Sequence, residues 1–173
     1  MNETLKVLKE RRSIRRYKNE QITEEQLNQI LEAGDYAPSG MGTQSTIMVA
    51  VQNKEMVQRL SKLNAKFTEA PDSDPFYGAP TVIVVLADSE KITPVENGSL
   101  VMGNLMNAAY AVGVNSCWIH RAKQMFESEE GQALLKEWGI KSSYVGIGSC
   151  TLGYYDAEYP TAHTRKEGRI VRV

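Results

Sequence analysis

Several residue types that mark common enzyme classes are scarce in this sequence. The 173 residues include only two cysteines and two histidines. Cys117 and Cys150 stand in apolar surroundings and form no disulfide framework, so we expect a reducing, cytoplasmic compartment. His120 and His163 do not fall into the spacing of a nucleophile–histidine–acid triad or of a metal site. We therefore predict neither a bound metal nor a catalytic side chain of these kinds.

A charge excess and long apolar runs are also absent. Lys and Arg number 20 against 21 Asp and Glu, which gives a formal net charge of −1, whereas a nucleic-acid-binding domain usually carries a basic surplus. No apolar run approaches about 18–20 residues, the length that a membrane-spanning helix needs. Residues 1–12 contain early charges and no apolar core of a signal peptide. We expect no nucleic-acid partner, no membrane association and no signal peptide.

The pattern of apolar residues predicts one α+β domain over residues 1–173, with a mixed central sheet flanked by helices. Helices are predicted over 3–10 and 99–113, and after N-caps at Thr23, Asn53 and Ser128. Gly34 is predicted to end the helix that starts at Thr23. Strands are predicted at 47–51, 81–87, 114–119, 144–154 and 169–173. Residues 81–87 lack polar alternation, so we place this strand at the centre of the sheet.

Four arginines lie within residues 11–16, a segment that we call the arginine bend. Because side chains alternate along an extended chain, Arg11, Ser13 and Arg15 are predicted to point one way, and Arg12 and Arg16 the other way. Two guanidinium groups and a hydroxyl on one face would suit a phosphate, which the planar guanidinium binds with paired hydrogen bonds. The alternatives are a solvated bend paired with nearby glutamates (Glu10, Glu24 or Glu25) and a nucleic-acid patch.

A second candidate segment is "APSGMGTQS" at residues 37–45, which we call the glycine loop. Its two glycines allow the backbone to approach a flat or charged ligand closely. Ser39, Thr43 and Gln44 add polar groups. The loop lacks the spacing of a Walker loop, and no GxGxxG follows a strand, so the common nucleotide-binding loops are not indicated. Taken alone, the segment could equally be a flexible connector.

Together these segments resemble the nitroreductase family of FMN-dependent flavoprotein oxidoreductases. The resemblance rests on an R-x-S-x-R-like motif with a following aromatic residue, and on an A-P-S-x-x-x-x-Q-like loop that ends at Gln44. It also includes "FYGAP" before the strand at 81–87, the unit "NLMNAAYAVGVNSCWI" at 104–119, and a late "GY" with a basic tail. The likeness covers nearly the whole chain, and the order and spacing of the motifs make it fairly specific.

The resemblance implies an intertwined homodimer with FMN at the subunit interface. Residues implied for the FMN phosphate and ribityl chain are Arg11, Arg12, Ser13, Arg15 and, from the tail, Arg165. Residues implied for the isoalloxazine ring are Pro38, Ser39, Gly40 and Met41 of the other subunit, together with Gln44, and Trp118, Ile119, His120 and Arg121. Met41 and Tyr77 are candidates to contact substrate. Arg12 or Arg121 could place positive charge at the N1–C2 edge of the ring.

The family's chemistry belongs mostly to the cofactor. The resemblance implies ping-pong transfer of reducing equivalents from NAD(P)H to electron-poor acceptors such as nitroaromatics or quinones. It leaves open a related reduction of a specific metabolite, such as a dehalogenation or an enone reduction, and a flavin-binding module without turnover. Family members often continue the loop as Q-P-W, whereas this chain has Gln44-Ser45-Thr46, and many have Asn where Gly42 stands. These differences predict a more open site.

Overall fold

The computed structural model describes residues 2–173. Six α-helices and four strands make up this part of the chain. The helices are α1 (Glu3–Glu10), α2 (Glu24–Asp35), α3 (Lys54–Ala65), α4 (Pro94–Ala111), α5 (Ala122–Glu127) and α6 (Glu129–Glu137), and a short 3-10 turn spans Gly40–Gly42. The strands are β1 (Thr46–Val51), β2 (Thr81–Asp88), β3 (Asn115–Ile119) and β4 (Tyr144–Gly153). Their order along the chain is α1-α2-β1-α3-β2-α4-β3-α5-α6-β4. The predicted α+β class with a central sheet is confirmed.

The sheet has the strand order β1-β2-β4-β3, and each neighbouring pair of these strands is antiparallel. Among the described residues, parallel pairing is confined to an isolated bridge between Ser13 and Ser116 at the β3 edge. The mixed character of the sheet is thus limited to this bridge. All eight residues of β2 are buried, as expected for a central strand covered on both faces.

Alternate side chains of β2 enter two separate apolar cores, one on each face of the sheet. Val82, Val84 and Leu86 pack with residues of α3, α5 and α6. Ile83 and Val85 pack with residues of α2 and α4. This division follows from the two-residue period of a strand. The helices therefore cover both faces, and they leave the β3 edge to the arginine bend.

The three predicted helix N-caps are confirmed. Thr23 Oγ1 accepts a hydrogen bond from the Gln26 amide, and Gln26 Oε1 accepts one from the Thr23 amide, which completes a capping box. Asn53 and Ser128 accept from the amides of residues three positions later. Each bond satisfies an amide that has no partner within its helix.

Two predicted helix boundaries are corrected. Helix α2 ends at Asp35 rather than at Gly34. Gly34 is buried, and a Cβ there would lie 2.6 Å from Met48 Sδ and 2.8 Å from Leu105 Cδ2, so this glycine serves close packing rather than a left-handed cap. Helix α4 begins at Pro94, five residues before the predicted start, because proline is well tolerated in a first turn.

The predicted strand at 169–173 is wrong for this chain. The segment has no strand pairing, and Ile170 and Val171 are 82% and 80% exposed. A strand needs a hydrogen-bonded neighbour for its backbone, and no other described segment lies beside this tail as one. Within residues 2–173, no helix has the length and apolar character needed to cross a membrane.

Candidate functional site

The arginine bend lies against the edge of the sheet, beside β3 and the end of β4. The Ile14 amide donates to the Ser116 carbonyl at 3.0 Å, and the Lys18 amide donates to the Tyr154 carbonyl at 2.9 Å. Ile14 and Tyr17 are buried. The Tyr17 hydroxyl donates to the Ile14 carbonyl at 2.8 Å, so the bend is fixed from within as well as from the sheet.

Two of the four arginines point away from the candidate phosphate face. Arg12 Nη1 donates to the backbone carbonyls of Lys9, at 2.8 Å, and Arg11, at 2.7 Å, where it satisfies the end of α1. Arg16 forms a solvent-exposed ion pair with Asp156, with 3.7 Å between Nη2 and Oδ2. Within residues 2–173 this is the only ion pair of the bend, so the alternative in which nearby glutamates neutralise it is not supported.

The other members of the motif gather around Cys117 on β3. Burial raises the pKa of the Cys117 thiol, and the positive charges of Arg15 and Arg11 and a hydrogen bond with Ser13 offset part of that rise. The bridge between Ser13 and Ser116 holds this part of the bend beside β3, next to Cys117. Arg11 Nη1 is also buried without a hydrogen-bond partner. Two cations and a hydroxyl therefore lie close enough to this thiol to influence its pKa, and the buried Nη1 of Arg11 lacks an acceptor.

The glycine loop is held against the start of α4. The Gly40 amide donates to Asn97 Oδ1 at 2.9 Å, and the Gln44 amide donates to Ser39 Oγ at 3.0 Å. Met41 has a φ of 53° and Gln44 a φ of 46°, the left-handed region that side chains other than glycine rarely adopt. Met41 is 90% exposed. The loop is therefore a defined conformation that holds a large apolar side chain in solvent.

A third group of predicted residues lies where β3 turns into α5. Ile119 is buried at the end of β3, and His120 and Arg121 are exposed. Arg121 has a φ of 77°, which reverses the chain sharply. Asn64 Nδ2 donates to the His120 carbonyl at 2.7 Å and fixes this turn to α3. The backbone here is ordered by its own contacts, while both polar side chains remain free for a ligand.

Three predicted residues, Tyr77, Pro38 and Arg165, remain to be placed. Tyr77 has a φ of 56° and is 39% exposed in a turn that Asp74 organises through the amides of Phe76 and Gly78. Pro38 and Arg165 are exposed. Pro38 lies within the glycine loop, whereas Arg165 belongs to the C-terminal tail.

The arginine bend and the glycine loop meet opposite ends of α4 in one chain. Tyr110, near the end of α4, donates to Glu10 Oε2 at 3.1 Å, just before the bend. Asn97, in the first turn of α4, holds Gly40. Asn97 and Tyr110 are 13 positions apart on α4, and this separation corresponds to a rise of about 20 Å along a helix. The two predicted halves of the site are therefore not brought together by this chain alone.

Comparison with known proteins agrees with this geometry. A sequence model described as "Nitroreductase family" matches residues 8–154. The chain belongs to the nitroreductase family. The family predicted from the sequence is thus confirmed, and the match includes the arginine bend, the glycine loop and the whole sheet.

Individual relatives of this nitroreductase-family chain match it over most of their length. An archaeal protein from Archaeoglobus fulgidus, named as an NADH dehydrogenase/NAD(P)H nitroreductase, is 31% identical over 161 residues, 89% of this chain and 86% of its own. A crystal structure of a nitroreductase with bound FMN from Bacteroides fragilis has a TM-score of 0.91 and 30% identity, and all of both chains is covered. Another, from Desulfitobacterium hafniense and also with bound FMN, has a TM-score of 0.87 and 31% identity, with coverage of 100% and 99%.

Three residues that organise this nitroreductase-family site were not predicted. Asn97 holds the glycine loop, Asn64 holds the turn at His120, and the Tyr159 hydroxyl accepts a hydrogen bond from the Arg12 amide at 2.9 Å. Their partners lie 57, 56 and 147 positions away in the sequence. No local pattern signals contacts over such separations, so only the folded chain reveals them.

Proposed function

We propose that this chain is an FMN-dependent oxidoreductase that acts as a homodimer. It transfers reducing equivalents from NAD(P)H to small electron-poor acceptors such as nitroaromatics or quinones, in a ping-pong cycle. The family match and the relatives that hold FMN or carry the NAD(P)H nitroreductase name support this function. Both cysteines are buried free thiols, which supports the proposal of a reducing cytoplasmic location.

The observation that carries the proposal is the uncompensated positive charge of the arginine bend. Alternation along the extended bend would put Arg11 and Arg15 on the side of Ser13, and neither arginine makes an ion pair within the described chain, whereas Arg16 does. A buried N–H group of Arg11 without an acceptor costs stability. A phosphate would satisfy that group and neutralise the repulsion between the two guanidinium groups.

The residues present therefore fit the phosphate of FMN. Arg11, Ser13 and Arg15 would bind it directly. Arg12 closes the end of α1 through its Nη1 atom and keeps a buried Nε–H without a partner, so its contribution would come from this second donor. Arg165 would join from the tail.

The ring would be held by residues at the end of β3 and by the glycine loop of the partner subunit. His120 and Arg121 directly follow β3. His120 is four positions after Ser116, a distance of about 13 Å along an extended chain. The side chain of Arg121 would place positive charge beside the ring, which favours the reduced, negatively charged flavin. Pro38, Ser39, Gly40, Met41 and Gln44 would line the ring from the other chain. When bound, FMN supplies the hydride chemistry, so no nucleophile or proton relay is needed from the protein.

Two features of the isolated chain support the dimer. The α4 residues that contact the glycine loop and the end of α1, Asn97 and Tyr110, lie about 20 Å apart along the helix, so a partner's loop would allow both segments to contact one flavin. Helix α1 buries none of its residues, and its apolar side chains Leu5 and Leu8 are 51% and 54% exposed. A second copy would cover this face. Tyr77 and Met41 would then border the space for the acceptor.

The test is the reduction of bound flavin. The purified protein, reconstituted with FMN, is mixed anaerobically with NADH or NADPH while absorbance near ~450 nm, the band of oxidised flavin, is recorded. Bleaching followed by recovery with a nitroaromatic or quinone supports the proposal. Bleaching without recovery except by an enone or a halogenated compound favours a specific metabolite reductase, and bound flavin that never bleaches indicates a module without turnover. A protein that takes up no FMN contradicts the proposal.

A further inference from the structure

The glycine loop is held in a conformation that it would not adopt alone. Met41 and Gln44 both have positive φ within four residues, and each such non-glycine residue costs about 1–2 kcal/mol. Conformations of this kind persist only when the surrounding structure determines them. The source of that constraint must therefore be among the loop's contacts.

Asn97 contacts both ends of the strained segment. Its Oδ1 atom accepts from the Gly40 amide at 2.9 Å and from Thr93 Oγ1 at 3.1 Å. Its Nδ2 group donates to Ser45 Oγ and to the Ile92 carbonyl, both at 3.2 Å. The residue is 2% exposed. All four hydrogen-bonding positions of the amide are in use, which is the most that an asparagine side chain offers.

The packing around Gly40 adds a second constraint. A Cβ at this position would collide with Thr93 Oγ1 and would lie 3.3 Å from Ile92 Cδ1. The loop backbone is thus pressed against the segment that precedes α4, at the point where Asn97 binds it. Steric contact and hydrogen bonds together fix where Met41 is presented.

We infer that Asn97 is a positioning residue that clamps the glycine loop so that Met41 and its neighbours keep the geometry needed at the flavin ring of the partner subunit. This inference rests on the proposed function, because the contact of the glycine loop with the flavin ring is itself part of that proposal. Asn97 itself is buried and acts through the loop. The clamp needs both a donor and an acceptor, so a carboxylate at this position would repel the Ile92 carbonyl.

The experiment compares Asn97→Ala with Asn104→Ala. Asn104 lies on the same helix and donates from Nδ2 to the Ala33 carbonyl on α2 at 2.8 Å, so it is a matched asparagine that does not contact the loop. Hydrogen exchange of the Gly40 amide is measured in the FMN-free proteins. Acceptor KM, kcat and the midpoint potential of bound flavin are measured in the reconstituted ones.

Loss of the hydrogen bonds that hold the loop should speed Gly40 exchange by about tenfold or more in Asn97→Ala and leave it near wild type in Asn104→Ala. The acceptor KM should rise by a similar factor with little change in kcat, and the flavin potential should shift only in Asn97→Ala. Equal effects of the two variants on potential and KM would overturn the inference, as would an unprotected Gly40 amide in the wild type. Failure of the proposed function would instead appear as absence of flavin reduction in the wild type.

Discussion

At the scale of single residues, neighbouring arginines of one bend have different surroundings. Arg15 has no carboxylate partner among the described residues, and its charge offsets part of the rise in the pKa of the Cys117 thiol, whereas Arg16 pairs with Asp156 at 3.7 Å. The alternation was predictable because an extended chain has a two-residue period, and the bridge of Ser13 to Ser116 keeps this segment extended.

Arg15→Ala should weaken FMN binding by about 1.5–3 kcal/mol, the value of a hydrogen bond to a charged group. Arg16→Ala removes the same charge from the same bend, but its exposed ion pair is worth only about 0–1 kcal/mol, so FMN affinity should change little. Titration of the FMN-free proteins with FMN, followed by quenching of flavin fluorescence, gives both dissociation constants. Equal losses of FMN affinity in the two variants would indicate that the bend acts through its overall positive charge and not through a specific phosphate site.

Asn97 marks the limit of prediction at this scale. The glycines and polar residues of 37–45 indicated a ligand-binding loop, but they did not indicate what holds it. The loop is held by the side-chain amide of Asn97, which lies 57 positions from Gly40. The sequence around Asn97 in the first turn of α4 carries no motif that indicates this contact. Local sequence thus predicts which residues can meet a ligand better than it predicts the contacts that position them.

At the scale of elements, predictions succeeded where burial alone decides the structure. Strand β2 is apolar from Val82 to Ala87 and lies between two cores, and the capping box of Thr23 and Gln26 marks the start of α2 within four residues of sequence. The strand predicted at 169–173 is not formed. Its apolar residues are compatible with a strand, but strand pairing needs a neighbouring segment, and no described segment lies beside this tail.

Strands β3 and β4 each bury a thiol, and this should make the protein lose stability in alkali. Burial raises the pKa of both Cys117 and Cys150. An unfolded cysteine ionises above about pH 8.5, so the stability from each thiol is complete below that pH and is lost as pH rises, by up to about 1.4 kcal/mol per pH unit.

The measurement is urea unfolding of the wild type and of Cys150→Ala between pH 7.5 and 9.5, under reducing conditions. Cys150→Ala removes one of the two buried thiols, so the wild type should lose about 1.4 kcal/mol more than the variant over this range, most of it above about pH 8.5. The difference in unfolding free energy between the two proteins should therefore narrow as pH rises. Parallel curves would contradict the assignment of Cys150 to the alkaline loss.

At the scale of the whole molecule, the two candidate segments of the proposed site are held at opposite ends of α4. In the proposed site the arginine bend and the end of β3 would form one half, and the glycine loop, whose contact on α4 lies about 20 Å from that of Glu10, would form the other. The relatives with bound FMN share this fold over the full chain. Association of two chains would therefore build the complete site, and the surfaces required for association should be exposed in the single chain.

Helix α1 offers the sharpest test of this association. Its Leu5 and Leu8 are about half exposed, and no residue of the helix is buried. On a monomer, replacing exposed leucines by glutamine should change stability by less than about 0.5 kcal/mol. If a second copy covers them, the double variant Leu5→Gln/Leu8→Gln loses buried apolar area, at ~25 cal/mol per Å², and should dissociate.

The matched control is Lys6→Gln/Lys9→Gln, which changes two exposed residues of the same helix outside its apolar pair. Light scattering coupled to gel filtration gives the mass, against 19.3 kDa for one chain, and FMN titration gives the affinity. The leucine variant should shift towards the monomer and lose FMN affinity together, because each flavin would need both chains, while the lysine variant keeps both properties. A monomeric leucine variant that binds FMN as tightly as the wild type would show that one chain holds the whole site, and the shared site would then have to be abandoned.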